Sequence, residues 1–185
     1  MIAMSNRYTR TAISLHWLIA LLVLAAFPLG IYMHDLPLSP AKLQLYSYHK
    51  WLGVTVFLLM MIRLYWRLTH RPPALPESMP RWERVAAESV HYLLYALLLL
   101  IPLSGWLMSS AKGFQTVWFG VLPLPDLVGK DKMLGESLQQ VHELLNFALF
   151  GVLGGHIGAA LKHHFIERDD ILARMIPWLK QSRKG

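Results

Sequence analysis

The chain has 185 residues, 55% of them hydrophobic and only 16% charged, with a net charge of +7 and no cysteine. One domain over 1–185 fits that length, but the balance is too apolar for a soluble domain of this size, so a membrane protein is the leading class. The missing cysteines exclude disulfides, thiol catalysis and iron–sulfur ligation by cysteine.

Four apolar stretches stand out along the chain, 12–33, 49–66, 89–109 and 138–161. At roughly 1.5 Å per helical residue they are long enough to cross about 30 Å of hydrocarbon. The expected fold is therefore all-α, an integral membrane four-helix bundle. The polar segment Ser5-Asn6-Arg7-Tyr8-Thr9-Arg10 offers caps before the first helix, which carries His16 and Trp17 near its start. Its apolar run is too long for a signal peptide and lacks a small-residue cleavage motif, so it is expected to remain as a span. Pro37 and Pro40 stop the first helix, and the second is expected to begin close to His49. The run Arg71-Pro72-Pro73-Ala74-Leu75-Pro76 cannot continue the second helix, and the third starts near Ala86. The longest connection, 110–137, holds Phe114, Trp118 and Phe119 ahead of Pro123 and Pro125. It is expected to lie on the membrane surface over one end of the bundle, because aromatic rings favour that interface. After His164 the tail mixes Met175 and Trp178 with basic residues, as a short interfacial helix does.

Orientation follows from the bases. Thirteen of them fall in three segments: Arg7 and Arg10; Arg63, Arg67, Arg71, Arg81 and Arg84; and Lys162, Arg168, Arg174, Lys180, Arg183 and Lys184. The two alternating loops hold five, Lys42, Lys50, Lys112, Lys130 and Lys132. That bias places both termini in the cytoplasm. The charge is thus a topology signal directed at membrane lipids, and no nucleic-acid partner is expected, because the bases flank spans instead of forming one patch.

Nine histidines in so apolar a chain are the informative excess, since ionisable residues within spans are costly and usually mark function. His142 and His156 lie 14 residues apart on the fourth helix. At about 100° and 1.5 Å per residue, they share a face to within roughly 40° and sit about 21 Å apart in depth. His49 matches His142 at the outer depth, and His16 matches His156 at the inner one. Two imidazoles per iron at two depths is the arrangement that carries electrons across a bilayer on two haems, and it leaves no open metal position for oxygen chemistry. Gly53 near His49, and Gly151, Gly154, Gly155 and Gly158 around His156, offer room for a macrocycle or for close helix contact.

His91 sits near the cytoplasmic start of the third helix and competes with His16 for the inner iron; a hydrogen bond to a propionate or a quinone is its alternative role. Zinc is a poorer reading, because four imidazoles split between two depths cannot form one tetrahedral site. His34 and His70 are assigned to loops.

These residues resemble the bacterial cytochrome b561 family, most closely its superoxide oxidase members. The likeness runs from Arg7-Tyr8-Thr9 and Ser14-Leu15-His16-Trp17, through His49 to Gly53, Met61-Ile62-Arg63-Leu64 and His91 to Gly105. It continues with His142-Glu143, His156 to Ala160, Lys162-His163-His164-Phe165, Asp170, Leu172 and Met175-Ile176-Pro177. The resemblance implies two haems b, with His16, His49, His142 and His156 as axial ligands, in a multi-pass protein of the bacterial inner membrane. It also implies oxidation of superoxide to dioxygen at the periplasmic face and delivery of the electrons to ubiquinone.

Positive charge at the outer face would aid the arrival of a small anion, and Lys50 beside His49, with Lys112 at the head of the long loop, are the candidates for steering superoxide. Quinone reduction consumes protons, so its site should place titratable or donor side chains near a haem edge. His163 and His164 fit that need, with Arg10, His91 and Arg84 as candidate neighbours. The competing function is a cytochrome b subunit or electron carrier that links an outer redox partner, such as a hydrogenase, to the quinone pool. A haem-free structural membrane protein would require four matched histidines by coincidence.

Overall fold

The computed structural model describes residues 7–76, 79–176 and 178–179. Ser5, Asn6, Pro177, Lys180, Arg183 and Lys184, which enter the capping, tail and charge readings above, lie outside the described residues. Four long helices account for most of the chain: α1 (Arg10–Asp35), α2 (Pro40–Thr69), α3 (Arg81–Ala111) and α4 (Lys132–Lys162). All four are long and apolar enough to cross a membrane. Together they form the all-α membrane bundle expected from the sequence.

Each helix exceeds its apolar stretch because local chemistry sets the ends. Thr9, Ser39 and Asp131 accept backbone hydrogen bonds from Ala12, Lys42 and Leu134 and so cap α1, α2 and α4. Here the expectation for α2 needs correction. The helix starts at Pro40, well before His49, since proline in the first turn sacrifices an N–H that would be unpaired anyway. Pro40 therefore opens a helix where it was read as a stop. His34 likewise belongs to the last turn of α1, not to a loop.

Packing runs around the bundle, with α1 against α2, α2 against α3 and α3 against α4. Two small buried clusters hold the centre, Leu94, Leu97, Ile101 and Leu149 between α3 and α4, and Ile19, Val56 and Met60 between α1 and α2. Large apolar side chains such as Leu21, Leu24, Leu68 and Phe147 point outward. In water this would cost about 25 cal/mol per Å² of exposed apolar area; against lipid tails it costs little.

The connection after α3 folds into a hairpin in which Val117–Trp118 pairs antiparallel with Leu122–Pro123. It is tied to the bundle by Trp51 Nε1 donating to the Val117 carbonyl at 2.7 Å, and by Trp118 Nε1 donating to Thr55 Oγ1 at 3.2 Å. Phe119, in the hairpin turn, has a φ of 50°, which costs a non-glycine residue about 1–2 kcal/mol. Its ring lies 5.3 Å from Trp51 and 5.1 Å from Trp118. Aromatic pairs contribute about 0.5–1.5 kcal/mol each, enough to offset the strain.

At the opposite end α4 runs into a π turn, His163–Glu167, closed by Arg168 in a left-handed conformation. Among the described residues of the tail beyond it, Leu172–Arg174 forms a 3₁₀ turn, shorter than the interfacial helix expected. Buried Arg174 pairs with Asp170 at 2.9 Å and donates to the Ala74 carbonyl at 2.6 Å, which holds this part of the tail against the loop between α2 and α3. Trp17 Nε1 adds a hydrogen bond to the Met175 carbonyl at 2.9 Å. The start of α1, the loop between α2 and α3 and the end of α4 therefore share one end of the bundle.

Candidate functional site

The four spanning helices bring the histidines together in the two groups that their spacing suggests. At the hairpin end, the rings of His49 on α2 and His142 on α4 are 6.3 Å apart, centre to centre. At the other end, His16 on α1 and His156 on α4 are also 6.3 Å apart. A metal–imidazole bond is about 2 Å and the ring centre lies about 1.1 Å further on, so two imidazoles on opposite sides of one iron have centres about 6.2 Å apart. Both pairs could therefore hold an iron between them. His91 on α3 stands only 5.3 Å from His156, too close for that linear arrangement.

The pair at the hairpin end, termed outer after the orientation expected from the sequence, sits in two matched sockets, which the sequence reading missed. His49 Nδ1 donates to the carbonyl of Ala26 at 3.1 Å, and His142 Nδ1 donates to the carbonyl of Ile101 at 3.1 Å. A carbonyl only accepts, so both rings carry their proton on Nδ1 and leave the Nε2 lone pair free for a metal. Four residues beyond each carbonyl is a glycine. A Cβ on Gly30 would come within 3.1 Å of His49 Cε1, and one on Gly105 within 3.1 Å of His142 Cε1. The signal was present as Ala26 with Gly30 and Ile101 with Gly105, each around an intrahelical proline, Pro28 and Pro102. Only the packing shows which ring each one seats. A cavity lies beside these rings, lined by Gly53, Asn146, Leu98 and Leu149 among others. Gly53, Gly151, Gly154, Gly155 and Gly158 all face open space, with nothing within 4 Å of an added Cβ.

The inner group is built differently. His91 Nδ1 donates to the Ala87 carbonyl of its own helix at 2.7 Å. His16 Nδ1 instead meets Arg63 Nη2 at 3.3 Å. A guanidinium only donates, so this nitrogen accepts here and the ring's proton lies on Nε2. Arg63 also donates to the Ala12 carbonyl at 3.2 Å and to the Tyr95 hydroxyl at 3.3 Å. The Arg67 guanidinium lies 5.5 Å from the same tyrosine ring. Among the described residues no ion pair joins Arg63 or Arg67 to a carboxylate. Just outside the spans, burial pushes the Tyr8 phenol above its usual range, while Arg67, Arg174 and Arg63 pull it down.

Of the other sequence candidates, Lys50 Nζ donates to the Phe114 carbonyl at 3.0 Å, and Lys112 Nζ donates to Gln139 Oε1. Both are half-buried at the hairpin end and tie helices to the loop and to each other. His163 is buried at the inner end, whereas His164 packs on Phe165 with ring centres 4.8 Å apart. Arg84 reaches the carbonyls of Pro76 and Met79, and Arg10 opens α1 in an exposed position. Among the described residues no hydrogen bond joins either arginine to His163.

This is the scaffold of a multi-pass membrane protein with imidazoles paired inside its bundle. A family model for prokaryotic cytochrome b561 matches residues 7–178, and the chain belongs to that family, whose members bind haem b and transfer electrons in membranes. The chain is 32% identical over 172 residues to cytochrome b561 homolog 2 of Escherichia coli (strain K12), with 92% of each chain covered. It is 30% identical over 183 residues to cytochrome b561 homolog 1 of the same organism, covering 93% of this chain and 98% of that one. It is 29% identical over 185 residues to a protein named probable superoxide oxidase CybB of Yersinia pestis, covering 94% and 98%. The resemblance drawn from the histidine motifs therefore holds at the level of the family.

Proposed function

We propose that the protein holds two haems b, an outer one between His49 and His142 and an inner one between His16 and His156, and moves electrons from superoxide to ubiquinone. The observation that carries this reading is the equal 6.3 Å separation of two histidine pairs whose shared helix, α4, supplies one ring to each at two depths. The similarity to a probable superoxide oxidase supports the donor. The bias of bases supports a bacterial inner-membrane location with both termini cytoplasmic, so that the His49 pair faces the periplasm. Each haem supplies reversible one-electron transfer. The chain's own groups do the rest.

Ala26 and Ile101 fix the outer tautomers, and Gly30 and Gly105 keep those rings seated. At the inner site His16 must carry its proton on Nδ1 to offer Nε2, which releases Arg63 from that contact. Arg63 and Arg67 are then the cations available to the haem's propionate carboxylates. Lys50 and Lys112 add positive charge at the outer rim for an incoming anion, while His91 and His163 serve the quinone end, with Arg10 and Arg84 as cations of the same rim. Two superoxide anions each lose one electron and leave as dioxygen, and ubiquinone takes up two electrons and two protons.

The test is stopped-flow mixing of the purified, haem-loaded protein with superoxide, with and without a short-chain ubiquinone. Two haems that superoxide reduces, and quinol formed in proportion, are expected. Two haems that superoxide neither reduces nor drives to form quinol would sink the donor assignment. The second reading, a carrier for an outer redox protein, is favoured by the apolar hairpin end, where Phe114, Phe119 and Val121 are exposed. Copurification of a partner whose oxidation reduces the haems would establish it.

A further inference from the structure

We propose that Glu167, Asp169 and His163 form a proton relay that carries protons from the cytoplasmic surface to the reduced quinone, an inference that rests on the function proposed above. The relay is written into the turn that ends α4. His163 and Glu167 are four residues apart at the two ends of the π turn, and π turns inserted in helices are frequent at functional sites. Arg168 then takes a left-handed conformation with φ of 54°, the chain reverses, and the Asp169 N–H reaches back to the His163 carbonyl at 3.1 Å. The reversal sets a second carboxylate on the same imidazole.

His163 Nδ1 lies 2.6 Å from Glu167 Oε2 and 2.7 Å from Asp169 Oδ2. One ring nitrogen thus faces two carboxylate oxygens, and with the ring's proton on Nε2 a proton taken up by either acid is within one hydrogen bond of Nδ1. The side chains grade from wet to dry, with Glu167 31%, Asp169 20% and His163 11% exposed. The acids are the more exposed members and the imidazole the least. Among the described residues Nε2 of His163 makes no hydrogen bond, so in the tautomer that carries its proton there it is free to donate to an oxygen of the quinone. His163 is seven residues beyond His156. Two helical turns at about 1.5 Å and 100° per residue put it roughly 10 Å deeper toward the cytoplasm and within about 20° of the same face as the inner pair.

The surrounding charges suit a relay better than a bound cation. Glu83, His163 and Glu167 bring ligand atoms within 4.8 Å of one another. The Lys162 ammonium already occupies that acid pair, 2.6 Å from Glu83 and 2.7 Å from Glu167. It anchors Glu167 through Oε1 while Oε2 faces His163. Asp169 carries no such lysine among the described residues.

In the proposed reaction each quinone would take up two protons together with two electrons, which a haem held by His16 and His156 would supply. A proton enters at Glu167 or Asp169, passes to Nδ1 of His163 as Nε2 releases its own to a quinone oxygen, and the ring then returns to its first tautomer. The experiment uses the full-length, haem-loaded protein, chemically reduced and then mixed with ubiquinone-1 while haem oxidation is followed. The variants are Glu167→Gln, Asp169→Asn and the double substitution, which keep an acceptor oxygen and remove the proton. The double variant is expected to oxidise its haems on the order of a hundredfold more slowly. The deficit should grow with rising pH, appear as a solvent deuterium effect, and be relieved by a diffusible weak acid such as imidazolium. Haem content, visible spectrum and haem reduction from the outer side should stay unchanged. Parent-like rates, pH profile and isotope effect in the double variant would overturn the relay alone. A slow variant with a parent-like pH profile and no rescue would overturn it too, as a structural effect. If ubiquinone-1 fails to oxidise the reduced parent protein, the quinone assignment falls, and the relay with it.

Discussion

The two histidine pairs have the same separation but opposite surroundings. The outer pair is held by neutral groups, with a backbone carbonyl on each Nδ1 and a glycine beneath each ring. The inner pair has a third imidazole beside it and Arg63 against it, with Arg67 sharing the Tyr95 face. A neutral, preorganised shell fixes geometry, and a cationic shell favours the form of the iron with the extra electron. A unit charge about 10 Å away, at an effective dielectric of about 20, contributes about 1.7 kcal/mol. That is somewhat more than tenfold in equilibrium, enough, with the two haems proposed above, to draw an electron from the outer site to the inner one. Direction of flow would then be a property of α2, which supplies His49 to one site and Arg63 to the other.

This contrast can be tested at each site. Replacing His142 or His49 by alanine should halve the haem content and spare the inner haem, measured by pyridine haemochrome and spectral resolution of the two centres. Equal loss of both haems would show that the sites do not form independently. Gly105→Ala and Gly30→Ala should each weaken outer haem retention, since overpacking costs about 1–3 kcal/mol, or roughly ten- to a hundredfold. Gly53→Ala, facing open space, should do less. Arg63→Leu should lower the midpoint potential of the inner haem by about 60 mV, about tenfold for one electron, and leave the outer one in place. A redox titration in which both potentials move together would remove the contrast. Lys50→Ala or Lys112→Ala should slow haem reduction by superoxide by only about two- to threefold, and the difference should vanish at high ionic strength, where such steering is screened. A salt-independent loss would point to the ties these lysines make to the hairpin and to Gln139.

Some of this was legible in the amino-acid order alone. Apolar runs of spanning length need no partner to be recognised, because the bilayer supplies the solvent they match. The 14-residue interval between His142 and His156 is a property of a single helix, so a shared face at two depths follows from helical geometry. The matching of His49 with His142 and of His16 with His156 needed only depth and orientation. By contrast, the start of α2 was misplaced, because the first turn of a helix tolerates the same proline that ends another.

What the tertiary structure decided is everything that depends on how one helix is rotated against the next. The preference proposed above for His16 over His91 rests on 6.3 Å against 5.3 Å to a common partner, a difference that no spacing encodes. Gly30 and Gly105 became sockets only when a neighbouring helix laid a ring over each. Asp169 reached His163 because Arg168 reverses the chain in a left-handed turn. The sequence by itself determined the class of protein, the depths of the histidines and the end at which the bases gather, since these follow from lengths and periods along one strand of chain. Side-chain approach across helices was left to packing, because it depends on how each helix is rotated against its neighbours.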